Sequence, residues 1–221
     1  MTLDFTPLIM SWRFLLGGIG ITIALAAVAI VASSCVGTLV ALGRLYAARP
    51  IAAVLAFYVD SMRALPVLVV LVWTYFAFPL VAGISLPPFQ AAAVAITLHV
   101  SAYVAEIVRA GIKSVRAGQH RAGYALGMSK AQVIRVVVFP QAIVRMLPPF
   151  ASIVSVAIKD TAIAAVIAVP EYMKRSETIA GQSFHPVEVY TVALLVYFII
   201  IFPATRAVDT VYGRVAHLGR S

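Results

Sequence analysis

Apolar residues gather along this chain into five long blocks, each closed by glycine, proline or a cluster of basic residues. The blocks cover residues 14–43, 56–79, 87–108, 149–169 and 186–203. A bilayer core about 30 Å thick is crossed by about 20 mostly apolar helical residues, so each block predicts a membrane-spanning helix. Between the second and third blocks the run "VAGISLPP" brings Gly83, Pro87 and Pro88, which end one helix before the next begins. The fourth block is interrupted by Lys159 and Asp160. The pattern therefore predicts an all-α integral membrane protein of about five transmembrane helices.

Composition strengthens this reading. Of 221 residues, 62% are apolar and only 11% charged, too little polar surface to cover a water-soluble globule. The single cysteine, Cys35, lies inside an apolar run and can form no intrachain disulfide. The start "MTLDFTPLIMSWRF" has neither the basic n-region nor the cleavage site of a signal peptide, so the first block is expected to be a retained span.

The basic residues fix an expected orientation. Arg44, Arg49, Arg109, Lys113, Arg116, Arg121, Lys130, Arg135, Arg206, Arg214 and Arg220 fall on one side, and Arg13, Lys174 and Arg175 on the other. The positive-inside rule then puts the N-terminus outside and the C-terminus in the cytoplasm. Three regions follow: an external segment 1–16, a transmembrane domain 17–209 containing a cytoplasmic loop of about 113–140, and a tail 210–221. The net charge of +9 is a topology signal here, because the basic residues flank spans and do not form a nucleic-acid-binding domain.

The longest polar stretch is "GQHRAGYALGMSKAQVIRVVVFPQA", residues 118–142. Residues 120–137 can be helical, with Ala122, Ala125, Leu126, Met128 and Val133 for apolar contact and Arg121, Lys130 and Arg135 for solvent. Gly123 and Gly127 each cost a free helix about 1 kcal/mol relative to Ala, a cost that close approach of another backbone would recover. Two readings stand: a docking surface for a partner, or a helix that covers the membrane surface.

Charges within spans are costly and normally face protein or water. Lys159 and Asp160 lie near the middle of block 149–169, whose 21 residues make about 31 Å of helix. Neighbours on a helix point about 100° apart, so they form a poor pair with each other. They either present opposite charges to a zwitterionic solute from a local helix break, or pair elsewhere and pin helices together. Arg63 can hold a carboxylate through two hydrogen bonds, with Asp60 three residues earlier as competitor. Glu106 and Arg109, also three apart, read as a structural pair. His99 stands alone in mid-span and reads as hydrogen-bonded to a neighbouring helix. "GGIGIT" (17–22) and "ASSCVG" (32–37) offer small surfaces for packing, within the chain or against a second one. No catalytic or metal-binding set is visible. Nor is a nucleotide-binding loop: the run Gly118 to Gly123 continues with Tyr124 and Ala125 where Lys and Ser or Thr are required.

The loop resembles the cytoplasmic coupling loop of the permease subunits of binding-protein-dependent ABC importers, whose pattern is Glu-Ala-Ala, three residues, Gly, nine residues, then Ile-x-Leu-Pro. Ala122, Gly127, Val137, Phe139 and Pro140 fall at the matching spacings; Arg121 stands at the family's Glu and Gly123 at its second Ala. "YVDSMRALPVLVVLVWTYFAFP", "AYVAEIVRAGI" and "IKDTAIAAVIAVPE" are similar to the branch that carries polar amino acids, although that branch reads Arg-Gly-Thr-Pro where this chain has Arg63, Ala64, Leu65 and Pro66. The likeness spans about residues 17–209.

The resemblance implies the fold of a type I ABC importer permease and a non-enzymatic subunit of the bacterial inner membrane. ATP and Mg would sit on two partner ATPase subunits, with no cofactor in this chain. Gln119, Arg121, Ala122, Gly123, Gly127 and Pro140 would couple to the ATPase, and Arg63, Lys159 and Asp160 would line the solute's path. A second copy or a related permease would complete the path, and an external binding protein would meet residues 170–186. Glutamine, histidine, arginine, glutamate, an opine or ectoine would each suit a zwitterion site. The competing classes are an ion-gradient-driven transporter or small channel, opposed by the lack of a second inverted copy, and a non-transporting assembly subunit, for which the charges at Lys159 and Asp160 would be dispensable.

Overall fold

The computed structural model describes residues 3–216, so Arg220 and the end of the 210–221 tail lie outside the described residues. Among the described residues the chain is helical, without strands. A short α1 (Thr6–Met10) leads into α2 (Trp12–Tyr46), the first span. After it come α3 (Arg49–Ala64) and α4 (Val67–Ala82), then α5 (Pro88–Lys113). The polar stretch holds α6 (Ala117–Ala125) and opens α7 (Lys130–Ile167); α8 (Tyr172–Ser183) and α9 (Pro186–Val215) complete the order. Helices α2, α5, α7 and α9 are each long and apolar enough to cross a membrane.

The second span departs from expectation. It is not one helix over 56–79: α3 and α4 meet at a bend of 108° and count as a fifth crossing only when taken together. Pro66 is the cause, since it lacks the N–H that would continue α3 and forces the residue before it out of the helical region. Leu65 accordingly sits at φ −90°, ψ 140°. At the far end the predicted stop holds, with Gly83 at φ +68° closing α4.

Helix α5 is the centre of the molecule, packing against α2, α3, α4 and α7. Its alanines 91, 92, 95, 102 and 105 are buried almost completely, so neighbouring backbones approach closely. Gly37 of α2 shows how closely: a Cβ there would lie 2.6 Å from the Ser101 carbonyl oxygen of α5. Gly18 meets the backbone of Tyr172, whereas Gly20 faces open space. Gly18 and Gly37 thus serve packing within the chain.

Helix α7 is longer than block 149–169. It carries a π-helical turn, Val133–Val138, before Pro140, and it tightens into a 3-10 helix over Thr161–Ile167. Lys159 and Asp160 therefore stand at the last residues of regular α-helix, directly before the 3-10 turns.

Candidate functional site

The stretch 117–132 folds as helix, turn and helix, so the single helix over 120–137 does not form. Helix α6 ends in a turn in which Gly127 N–H donates to Tyr124 O at 3.0 Å and Met128 N–H to Gly123 O at 3.1 Å. Gly127 sits at φ +77°, a left-handed conformation that glycine adopts without the cost a side chain would incur. Ser129 restarts the chain with a capping box: its Oγ accepts Gln132 N–H at 3.3 Å while Gln132 Oε1 accepts Ser129 N–H at 2.8 Å.

Gly123 finds its close neighbour inside the chain, since a Cβ there would lie 2.8 Å from a Val133 methyl. Val133 belongs to a small core with Val115, Val138 and Ala142, against which Met128 packs. That packing turns Arg121, Ala122, Tyr124, Ala125 and Leu126 outward, Leu126 at 82% exposure. Gln119 is half-buried and joined to Gln141 of α7 at 3.4 Å; Pro140 is exposed. Gln119, Arg121, Ala122, Gly123 and Gly127 thus lie on one compact knob, with the exposed Leu126 among them, and Pro140 stands beyond it in α7.

The charges of the spans do not form one cluster. Arg63, exposed at the end of α3, lies over the Tyr103 ring of α5 at 5.7 Å and makes no ion pair with Asp60. Tyr103 in turn packs on His99, ring centres 5.3 Å apart. Lys159 borders a groove of about 390 Å³ that also includes Ser152, Ser155, Thr205 and Asp209. Asp160 is half-buried, and its Oδ2 is shut away from solvent without a hydrogen-bond partner among the described residues. Among the described residues no ion pair joins Lys159 to Asp160, and Arg63 is bonded to neither.

Two networks hold the bundle at its ends. At the basic end Glu106 bonds Arg44 of α2 and, at 2.7 Å, Arg109 one turn along α5, so the predicted pair is structural and gains a third member from another helix. At the opposite end Glu171, fully buried, accepts Thr22 Oγ1 of α2 at 3.2 Å, Tyr197 hydroxyl of α9 at 2.8 Å and Lys174 N–H at 2.7 Å. Burial pushes the Glu171 carboxyl up from its ordinary value, against the lowering effect of those donors. The sequence reading missed this hub; the available signal was a glutamate directly before a helix, an N-cap position, where an apolar run closes.

Comparison with known proteins places the whole arrangement. Residues 33–217 match the family described as binding-protein-dependent transport system inner membrane component. The chain is 36% identical over 200 residues to the probable glutamine ABC transporter permease protein of Bacillus subtilis, covering 88% of this chain and 90% of that one. It is 32% identical over 220 residues to the glutamate/aspartate import permease protein of Escherichia coli, covering 96% and 98%. Among solved structures it superposes on an amino acid ABC transporter crystallised with histidines at a TM-score of 0.90 and 30% identity, covering 97% of this chain and 100% of that one.

Proposed function

The chain belongs to the family of inner membrane components of binding-protein-dependent transport systems, and from that premise we propose how it carries its solute and which partners it meets. It is a multi-pass permease subunit of an ABC importer and not an enzyme; ATP hydrolysis belongs to separate subunits. The solute is a polar amino acid or a derivative such as an opine or ectoine. It passes Asp160, Lys159 and Arg63 on a path closed by a second copy of this chain or a related permease.

The observation that carries the solute reading is Asp160. A carboxylate oxygen buried in a membrane helix without a partner is unfavourable, and it persists where function requires it. An ammonium group arriving from the solute supplies the missing donor and charge. Lys159 and Arg63, which make no ion pair with a carboxylate among the described residues, suit the solute's carboxylate.

The knob 117–132 is the mechanical link. With the basic end in the cytoplasm of a bacterial cell, α6 and Leu126 seat in a groove of an ATPase subunit, one per permease, and its closure on ATP and Mg moves α5 and α7 as rigid bodies. The N-terminus is outside, and residues 170–186 meet an external binding protein.

Co-expression with its partner ATPase and binding protein, followed by reconstitution in vesicles, tests the reading. ATP-dependent uptake of at least one of glutamine, histidine, arginine, glutamate, an opine or ectoine is expected. Uptake of none of them, with binding protein and ATPase active, overturns an amino-acid-derived solute.

A further inference from the structure

Helix α7 carries a row of polar side chains on one face. Lys159, Ser155 and Ser152 follow one another at spacings of four and three residues, with Pro148 four further back, so they stand one above the other along the helix. Lys159 and Ser152 are exposed and Ser155 is half-buried. Neither serine makes a hydrogen bond among the described residues, whereas Ser33, Ser34 and Thr74 in other helices each donate to a carbonyl of their own helix. A hydroxyl left unbonded in hydrocarbon is costly, so this row needs water or a polar partner.

The row borders the groove of about 390 Å³ that α9 completes with Thr205 and Asp209. That volume is within the range of about 300–1,000 Å³ typical of small-molecule sites. From Lys159 to Pro148 the groove follows 11 residues of α7, about 16 Å of helix. Asp209 is 23 residues into α9 from Pro186, about 34 Å, more than the hydrocarbon core of about 30 Å. It pairs with Arg206 at 3.5 Å, and both side chains are exposed. The groove thus reaches from a charge inside the membrane to a charged pair at the basic end of the bundle.

We propose that this groove is the leg of the solute's path from Lys159 to the cytoplasm, and that Ser155 and Ser152 bind in turn the carboxylate of the amino acid as it leaves Lys159. A neutral O–H donates to a carboxylate without holding it as an ammonium group does, and a series of weak sites lets a bound group move on. The inference rests on the reading that Lys159 lies on the path, and it adds where the solute goes from there.

The test uses the chain's single cysteine, Cys35, which Cys35→Ala removes. In that background Ser152→Cys and Ser155→Cys each place one thiol in the groove. The complete transporter, in vesicles with its basic end outward, is treated with and without ATP with membrane-impermeant methanethiosulfonates, one anionic and one cationic, and labelling of this chain is followed in time. Both cysteines are expected to react in at least one of the two conditions. Relative to the rates with a free thiol, the anionic reagent is expected to be favoured at Ser155→Cys by at least about threefold, and Lys159→Gln should abolish that preference. Absence of reaction at either position overturns the proposal, and a disulfide between two copies on oxidation would make the face a permease–permease contact instead. Reaction without the anionic preference overturns it too, since the groove would then hold water but favour no carboxylate. If one cysteine variant does not assemble, the other decides, with the reagent preference read there. The rates report water and charge, not uptake, so a transporter that imports its solute while both cysteines stay unreactive fails this inference alone.

Discussion

The Tyr197 hydroxyl of α9 and the Thr22 hydroxyl of α2 donate to the same oxygen of Glu171, at 2.8 and 3.2 Å. Thr22 also accepts the Tyr172 N–H at 3.1 Å, so its hydroxyl is spent in both directions. A single buried carboxylate thus closes the bundle where α2, α8 and α9 meet.

Removing either donor leaves that oxygen short of a bond in a buried site, which costs about 1–3 kcal/mol. Tyr197→Phe and Thr22→Val should each lower the melting temperature of the purified complex, by roughly 2–4 °C per kcal/mol for a chain of this size. Because both act on one oxygen, the double variant should differ from the sum of the singles by more than about 0.5 kcal/mol. Strict additivity in thermal or denaturant unfolding would show that the two bonds are independent.

The same hub predicts a pH dependence. Burial raises the Glu171 carboxyl in the folded state, so folding favours its protonated form. Its stabilising contribution is full below the ordinary carboxyl value and declines as pH rises through the raised one. Glu171→Gln cannot ionise. Whatever constant offset it brings from altered hydrogen bonding, the melting temperature of the native chain should fall relative to the variant as pH is raised from about 4 toward 7. Parallel curves over that range would remove Glu171 as the titrating group.

What the sequence made legible was what periodicity and length encode. The first, third and fifth spans and the stop at Gly83 follow from apolar runs and from residues with fixed backbone preferences, and the Glu106–Arg109 pair follows from helical spacing. The bend at Pro66 was also written in the chain, but an apolar run on both sides of the proline hid it: hydropathy counts residues and is blind to a missing N–H. The hub was hidden for another reason. Thr22, Glu171 and Tyr197 lie 149 and 26 positions apart in the chain, and only tertiary packing brings them together. Lys159 and Asp160 were legible as costly charges; their places, one on a groove and one turned inward, depend on where α7 begins, and its start at Lys130 lies among polar residues.

At the knob, backbone conformation separates two roles for Gly127. Among the described residues nothing lies within 4 Å of a Cβ built there, yet φ is +77°, which costs a side chain about 1–2 kcal/mol. Asn tolerates this conformation better than most residues. Gly127→Asn should therefore keep most of the ATP-driven uptake, while Gly127→Leu should lose most of it yet still insert and assemble. Should Asn uncouple hydrolysis from uptake as completely as Leu, the space around Gly127, and not its turn, is what the ATPase requires.

Asp160 gives the sharpest test of the solute path. Its inner oxygen has no hydrogen-bond partner, and no ion pair holds it among the described residues. Had it balanced a buried cation, removing its charge would leave that cation uncompensated at about 3–5 kcal/mol and lower the melting temperature markedly. The adjacent Lys159 is exposed and makes no ion pair with it among the described residues, so Asp160→Asn keeps shape and removes a charge that no buried cation balances, and the melting temperature should stay the same or rise. Uptake should nevertheless collapse, because the solute's ammonium group loses the one charge placed to receive it inside the membrane. The two quantities must be measured on the same preparation: retained uptake together with a large fall in melting temperature would make Asp160 a structural charge and take it off the path.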